Sequence, residues 1–362
     1  MTSFRGQLGL GLVFAALAQV AASASVQPDP LAPLPRRPSA NPHAGRARAH
    51  APAVLQNQLT ALGRKFDGKA GIAVVSLRDG WEADWNATSL FPQQSCSKLW
   101  VAITALDAVD HGKASLDTRV ALDRSDLTLF HQPLAAKILD GSLQSITLGE
   151  LMFTAITQSD NTANDKLLRS IGGPPAVRRM IARKGLGAIR FGNGERSLQS
   201  RIAGLRWNPS YSIGSAFFDA RTALPMASRQ AAFKRYIHDP YDGASPHAIA
   251  NALASLRSGG LLSPQSTDRL LSTMGQTKTG GLRVRAALAP GWEWNHKTGT
   301  GQELQGRIAG INDIGLLTAP DGAVYAVAIM TIPDNNSSGD AQKLMRDVAH
   351  TVEAFHQGSR PG

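Results

Sequence analysis

The sequence predicts an α/β (α+β) domain: one antiparallel sheet assembled from both ends of the chain, flanked by helices, with an all-helical lobe inserted between. Three observations carry that expectation. Short β-rich runs open the folded region, at Gly71–Leu77 and Trp81–Trp85. Others close it, at Trp292–His296, Arg307–Leu317 and Val324–Ile332. The stretch between, from Leu99 to about Met274, has mainly helical apolar spacing. Strands at both ends with helices between them share one core when the terminal strands pair.

Each element has a local reason. Leu55, Leu59, Leu62 and Phe66 recur at helical spacing and form one apolar stripe, so folded structure is expected from Ala53. Asp79-Gly80 is the turn of the first hairpin. Within the lobe, Leu99, Ala102, Leu106 and Val109 form a stripe, and Leu148–Ile156 forms another. Ser263 as cap and Pro264 as first helical residue open a late helix through Leu271, with Gly275 just beyond its end. Asp321-Gly322 separates the last two strands, and Leu344, Val348, Val352 and Phe355 stripe a final helix. No internal repeat is visible.

The ends of the chain read differently. Arg5 precedes an apolar run from Leu8 to Val20, followed by the small residues Ala22-Ser23-Ala24. That run is too short for a bilayer core needing about 20 residues, so residues 1–24 are expected to be a cleaved signal peptide of an exported, periplasmic or secreted protein. Residues 25–52, rich in Pro, Ala and Arg, are expected to be a flexible linker. A catalytic domain would then span residues 53–357, with a helical lobe at about 99–275 and a tail at 358–362. The formal net charge is +11, and residues 1–50 supply +4 of it (five arginines against Asp29). The rest is dispersed, which suits anions such as anionic substrates or cell-envelope polymers rather than nucleic acid. Cys96 is the only cysteine, so no internal disulfide forms. The nine histidines show no metal-ligand spacing. Neither a metal nor a cofactor is expected, and nothing calls for a partner chain beyond a monomer.

Three motifs carry chemistry. Ser95-Cys96-Ser97-Lys98 at the start of a helix puts Lys98 beside the Ser95 hydroxyl, because residues three apart share a face. A serine needs a base to become a nucleophile, and Leu99-Trp100-Val101 would strip water from the amine. Ser159-Asp160-Asn161 interrupts two helical segments, with Asp160 a natural cap. Lys-Thr-Gly occurs twice, at Lys278-Thr279-Gly280 and Lys297-Thr298-Gly299. Only the second follows a strand-like run and continues into Thr300-Gly301. There, lysine and threonine facing outward from an edge strand, with Gly299 letting a substrate approach the backbone, suit a carboxylate. The first copy reads as a loop.

With all three motifs in this order, the chain resembles the class A serine β-lactamases and, more loosely, the penicillin-binding peptidases. The resemblance covers roughly Ala53 to Gln357. It includes Phe91-Pro92, Ile171-Gly172-Gly173-Pro174, Ala289-Pro290-Gly291-Trp292 and Asn312-Asp313-Ile314. It implies a β-lactamase/transpeptidase-like fold. A fourth element separates the two relatives: class A enzymes carry a glutamate in an Ω-shaped loop that activates the deacylating water. The family pattern Glu-x-x-Leu-Asn stands here as Glu195-Arg196-Ser197-Leu198-Gln199, and Glu195 is the only carboxylate between Asp165 and Asp219. Gln199 replaces the family's asparagine. The stretch from Ser200 to about Pro240 is some thirty residues longer than usual, and could either reshape one wall of the site or pack on the surface. The turn from Gln302 to Gly306 also looks long.

The resemblance further implies roles. Lys98, or Glu195 through a water, takes the Ser95 proton, and Ser95 attacks the ring carbonyl of a small β-lactam substrate. The Ser95 and Thr300 N–H groups hold the oxyanion. Ser159, between Lys98 and Lys297, passes a proton to the leaving nitrogen. Asn161 orients the side-chain amide, Thr298 and Thr300 bind the carboxylate, and Glu195 activates water. By position Phe130 matches an entrance aromatic, with a plain core ring as the alternative. Arg283 matches a carboxylate-holding arginine, with a solvated helix arginine as the alternative. The alternatives are a D-Ala-D-Ala peptidase or another acyl-serine hydrolase, with Glu195 peripheral, and a β-lactam sensor that stays acylated.

Overall fold

The computed structural model describes residues 49–334 and 337–359. The apolar run Leu8–Val20, its small-residue cleavage site and residues 25–48 of the expected linker lie outside the described residues.

In the first part of the chain, strand β1 (Ala49–His50) is followed by helix α1 (Ala53–Lys65) and the hairpin of β2 (Gly68–Ser76) and β3 (Trp81–Trp85). After the lobe come β4 (Glu293–Thr300), β5 (Ile311–Thr318) and β6 (Val324–Pro333). The sheet order is β1-β3-β2-β6-β5-β4. Strands from the two halves of the chain therefore meet at β2 and β6, which pair antiparallel from Tyr325↔Ser76 to Pro333↔Gly68. One detail departs from the expected antiparallel sheet. β1, inside the span read as linker, adds to β3 in parallel, with Ala49 opposite Trp81.

Period-two alternation on β2 explains why the sheet is buried on both faces. Ile72 and Val74 join the cluster containing Leu55 and Leu59 of α1. The same cluster takes Leu344, Val348 and Val352 of the terminal helix, which runs from Ser338 to Gly358. Ala73 and Val75 point the other way, into the core of the lobe.

The lobe is organised around α2 (Lys98–Asp110). A single apolar stripe was the sequence expectation, yet every residue from Lys98 to Asp107 is buried. The helix is surrounded, which suits a sequence apolar on all sides. Packed against it are α3 (Leu148–Thr157), α4 (Asn161–Ser170), α5 (Gly173–Arg183) and, later in the chain, the helix Pro264–Gly275. The Ser263 hydroxyl caps that late helix by accepting from the Ser266 N–H at 3.2 Å. Gly275 is its last helical residue rather than the one beyond.

Between α5 and that late helix lies the long segment. It folds as α6 (Glu195–Ile202), a 3-10 turn at Pro209–Ser212, α7 (Ala216–Ala223) and α8 (Met226–His238). Two small cores hold it: Phe217 with Leu129 and Ala203, and Leu198, Ile202, Phe233 and Tyr236 with Ala309. The long turn after Gly301 is a small hairpin, Glu303–Leu304 against Arg307–Ile308. Gln305 and Gly306 at its tip both have positive φ, 52° and 77°, as a tight two-residue turn requires.

Candidate active site

A 3-10 turn, Gln94–Ser97, leads directly into α2 and carries Ser95 at the mouth of a cleft of about 460 Å³. The first residue of α2 is Lys98, and its Nζ donates to the Ser95 hydroxyl at 3.1 Å. The same nitrogen donates to the Ser159 carbonyl at 2.7 Å and to Asn161 Oδ1 at 2.5 Å. It also lies 3.3 Å from Glu195 Oε1, with both side chains buried.

Ser159 lies in the break between α3 and α4. The Asp160 carboxylate fixes that break twice, accepting from the N–H of Ala163 and from the N–H of Leu134, each at 2.7 Å. This confirms the expected cap and explains how Ser159 is held at φ 60°, a conformation rare for a residue with a side chain. Lys297 Nζ donates to Ser159 Oγ at 2.9 Å. That oxygen also lies 3.4 Å from Lys98 Nζ. Two amines from opposite ends of the chain thus meet at one hydroxyl. Asn161 turns its Oδ1 to Lys98 and one N–H to the Leu129 carbonyl at 2.8 Å, leaving its second N–H for the cleft it lines.

β4 is the edge strand, as the motif suggested, but Lys297 faces inward and is fully buried. Burial, and next the charge of Lys98, push the Lys297 amine down to about 7. The missing side chain at Gly299 is required by packing as well. A Cβ there would come within 2.4 Å of the Gln93 carbonyl, in the segment that leads to Ser95. Gly299→Ala should therefore push β4 away from the turn that carries Ser95, lowering kcat/KM by more than about tenfold together with the melting temperature. A variant with wild-type activity and melting behaviour would contradict this packing.

Glu195 is buried at 2 % exposure. Asp165 puts it there by capping α6 from α4, its carboxylate accepting from the N–H groups of Glu195 at 2.8 Å and Arg196 at 3.2 Å. Gly194, at φ 87°, makes the turn that allows it. Gln199 sits one helical turn on, and its Nε2 donates to Glu195 Oε2 at 3.1 Å. Its own Oε1 accepts from Gln302 Nε2 at 3.0 Å, so the small hairpin holds the amide from above.

The chain belongs to the class A serine β-lactamase family. The family model described as the Beta-lactamase enzyme family matches residues 54–355. Beta-lactamase CTX-M-97 of Escherichia coli is 29% identical over 247 residues, covering 68% of this chain and 72% of that protein. Extended-spectrum beta-lactamase PER-1 of Pseudomonas aeruginosa is 26% identical over 302 residues, covering 83% and 87%. Among solved structures, TLA-3 extended-spectrum beta-lactamase superposes with a TM-score of 0.70 at 25% identity, covering 84% of this chain and 99% of that one. An ancestral class A beta-lactamase does so with a TM-score of 0.66 at 28% identity, covering 83% and 99%.

Within this family frame, the residues singled out from sequence gather at one place. Phe130 and Arg283 line the cleft with Ser95, Ser159, Asn161, Gln199, Thr298 and Thr300. Phe130 is 39 % exposed rather than a plain core ring, at φ 60°. It stands edge-on to Phe217 at 5.1 Å. Arg283 is not a solvated helix residue: it is buried and donates to the carbonyls of Gly299 and Asn312 at 3.1 and 2.5 Å and to Thr300 Oγ1 at 2.6 Å. The first Lys-Thr-Gly copy is a loop, yet Thr279 reaches the cleft and shares a 2.6 Å hydrogen bond with Thr298. The long insertion contributes Arg221 to the lining of the cleft.

Sequence reasoning missed a supporting layer. Gln94, at φ 54°, is held by the Asp242 carboxylate accepting its N–H at 2.8 Å and by Tyr236, whose hydroxyl accepts from Gln94 Nε2 at 2.9 Å and donates to Asp242 at 2.9 Å. Burial raises the Asp242 carboxyl to about 7. Asn312 ties β5 to the same segment, donating to the carbonyls of Pro92 and Gln93 at 2.8 and 3.1 Å. Cys96 is buried and its thiol is pushed up to about 12 by that burial, which keeps it protonated and unreactive.

Proposed function

We propose that the protein is an exported enzyme that hydrolyses the β-lactam amide bond through an acyl-enzyme on Ser95, as a monomer and without metal or cofactor. The single observation behind this reading is Glu195. A buried carboxylate beside Lys98 and Gln199, in the same site as the serine, gives the acyl ester a base for its hydrolysis. The Ser95 proton leaves to Lys98, or to Glu195 through a water, and Ser95 Oγ bonds to the ring carbonyl. The N–H groups of Ser95 and Thr300 hold the oxyanion. As the C–N bond breaks, Ser159 gives its proton to the nitrogen and is reprotonated across Lys98 or Lys297. Thr298 and Thr300 take the substrate carboxylate, backed by Lys297 and Arg283, Asn161 takes the side-chain amide, and Phe130 covers the entrance. Water activated by Glu195 then releases the acid and restores Ser95.

One observation favours a second reading, a β-lactam-binding protein that deacylates slowly. The Gln199 carbonyl oxygen is already occupied by Gln302, which leaves less of the amide to hold the water. Mixing the purified protein with a chromogenic β-lactam separates the two. Sustained turnover beyond many equivalents is the expected result. A burst of one equivalent that stops selects the second reading, and absence of any reaction removes both.

The depressed Lys297 gives the reaction a pH signature. As pH rises through about 7 the amine loses its proton, one positive charge leaves the carboxylate side, and kcat/KM for an anionic substrate should fall. Bound substrate opposes that loss, so kcat should change less. Lys297→Arg keeps its charge and should move the alkaline limb up by at least about two pH units. A limb in the same place in both proteins would assign it to another group.

A further inference from the structure

We propose that Arg221, which the insertion contributes to the cleft, forms a second anion subsite that favours β-lactams whose acyl side chain carries its own carboxylate or sulfonate. This rests on the reading of Ser95 as the β-lactam nucleophile. α7 presents Arg221 to the cleft. The guanidinium carbon lies 5.8 Å from the Phe217 ring centroid and 5.3 Å from that of Phe218. The rings fix the group in place without neutralising it. Its Nε is buried with no hydrogen-bond partner. Among the described residues Arg221 pairs with no carboxylate and donates to no protein acceptor, although it lines a cleft where such a group could reach it.

The contrast with Arg283 makes the point. Arg283 also lines the cleft, but its donors are engaged by two backbone carbonyls and Thr300, on the side assigned to the ring carboxylate. Arg221 stands on a different element, next to the aromatic rings that continue from Phe130 at the entrance. A half-buried guanidinium whose terminal N–H groups are unpaired supplies charge-assisted hydrogen bonds to a carboxylate or sulfonate. Burial and the nearby charge of Arg229 disfavour its unpaired cation, and an incoming carboxylate would relieve that cost. A substrate with one anion is held by the β4 side alone, while a substrate with two would use both sites.

The test compares two penicillins that differ only in the side chain, one benzyl and one α-carboxybenzyl, hydrolysed by the full-length wild type, Arg221→Gln and Arg221→Lys. The readout is the ratio of kcat/KM values within each protein, which cancels any difference in the active fraction. Arg221→Gln should lower the ratio of carboxybenzyl to benzyl about tenfold, mainly through KM, and Arg221→Lys should restore most of it. Added salt should lower the ratio in the wild type and leave it flat in Arg221→Gln. An unchanged ratio, or an equal loss on both substrates, overturns the proposal, the latter because Arg221 would then serve the anion common to all. Failure of the wild type to hydrolyse either penicillin would instead refute the reading of Ser95.

Discussion

Glu195→Gln should acylate on Ser95 and then stop. The substitution keeps the size of a side chain that is buried between Lys98 Nζ and Gln199 Nε2, so the cleft and the Ser95–Lys98 contact should survive. What it removes is the buried carboxylate proposed to take a proton from the deacylating water. General bases contribute about 10²- to 10⁴-fold, and a fall of about 10³-fold in deacylation would turn steady turnover into a burst of one equivalent. Intact mass should then rise by the whole mass of the β-lactam, because ring opening expels no leaving group. Steady turnover at the wild-type rate would remove Glu195 from the mechanism. Loss of acylation as well would make Glu195 the first base too, leaving Lys98 as its support.

The parts of this site that could be read from sequence are those whose geometry is local. Ser95 and Lys98 are three residues apart at a helix start, and the backbone alone brings them together. Asp160 announces a cap by its type and its place between two apolar periods. The convergence of Ser95, Ser159 and Lys297 is different, because no spacing links residues 95, 159 and 297. It follows only when the terminal strands are paired and the lobe is folded back on them, and the family motif order stood in for that step. Arg283 was ambiguous for the same reason: its partners are carbonyls of β4 and β5, which carry no side-chain signal.

The supporting layer was illegible for a further physical reason. Asp242, Tyr236 and Gln94 read individually as a turn acid, a core ring and a loop amide. Their shared hydrogen bonds depend on where α8 docks, and that docking is decided by small apolar cores such as Ile202 with Phe233. The insertion is helical in periodicity but carries no motif, so its two outcomes, wall or surface, could not be separated from sequence. Its contribution to the cleft emerges only from the packing of Phe217 beneath Phe130. The bilateral burial of α2 hid in the same way. A stripe was visible, but the polar-looking positions Thr104 and Asp107 are also enclosed, through the Trp100 carbonyl and Arg183 respectively.

Lys98→Met tests the other half of the site, and it should cost both activity and stability. Methionine fills most of the buried volume of the lysine but offers nothing to Ser95, Ser159, Asn161 or Glu195. Acylation should fall by about 10³-fold if Lys98 is the base for Ser95, within the usual range for such groups. If the base is Glu195 through a water, a substantial part of the acylation rate should remain, so stopped-flow acylation of Lys98→Met and of Glu195→Gln together decides between them. The stability effect has its own cause. Removing one member of a buried ion pair leaves the other uncompensated, at about 3–5 kcal/mol, and here the remaining member is an acid with 2 % exposure. Lys297 should soften the loss: Lys98 is one of the charges that push it down, so without Lys98 it accepts its proton more readily, placing the effect near the lower end, about 3 kcal/mol. Denaturant unfolding at pH 7 measures it, and adding Glu195→Gln to Lys98→Met should recover most of the loss, because both members of the pair are then neutral. A Lys98→Met protein as stable as the wild type would mean that these two buried side chains do not hold each other across the 3.3 Å seen here.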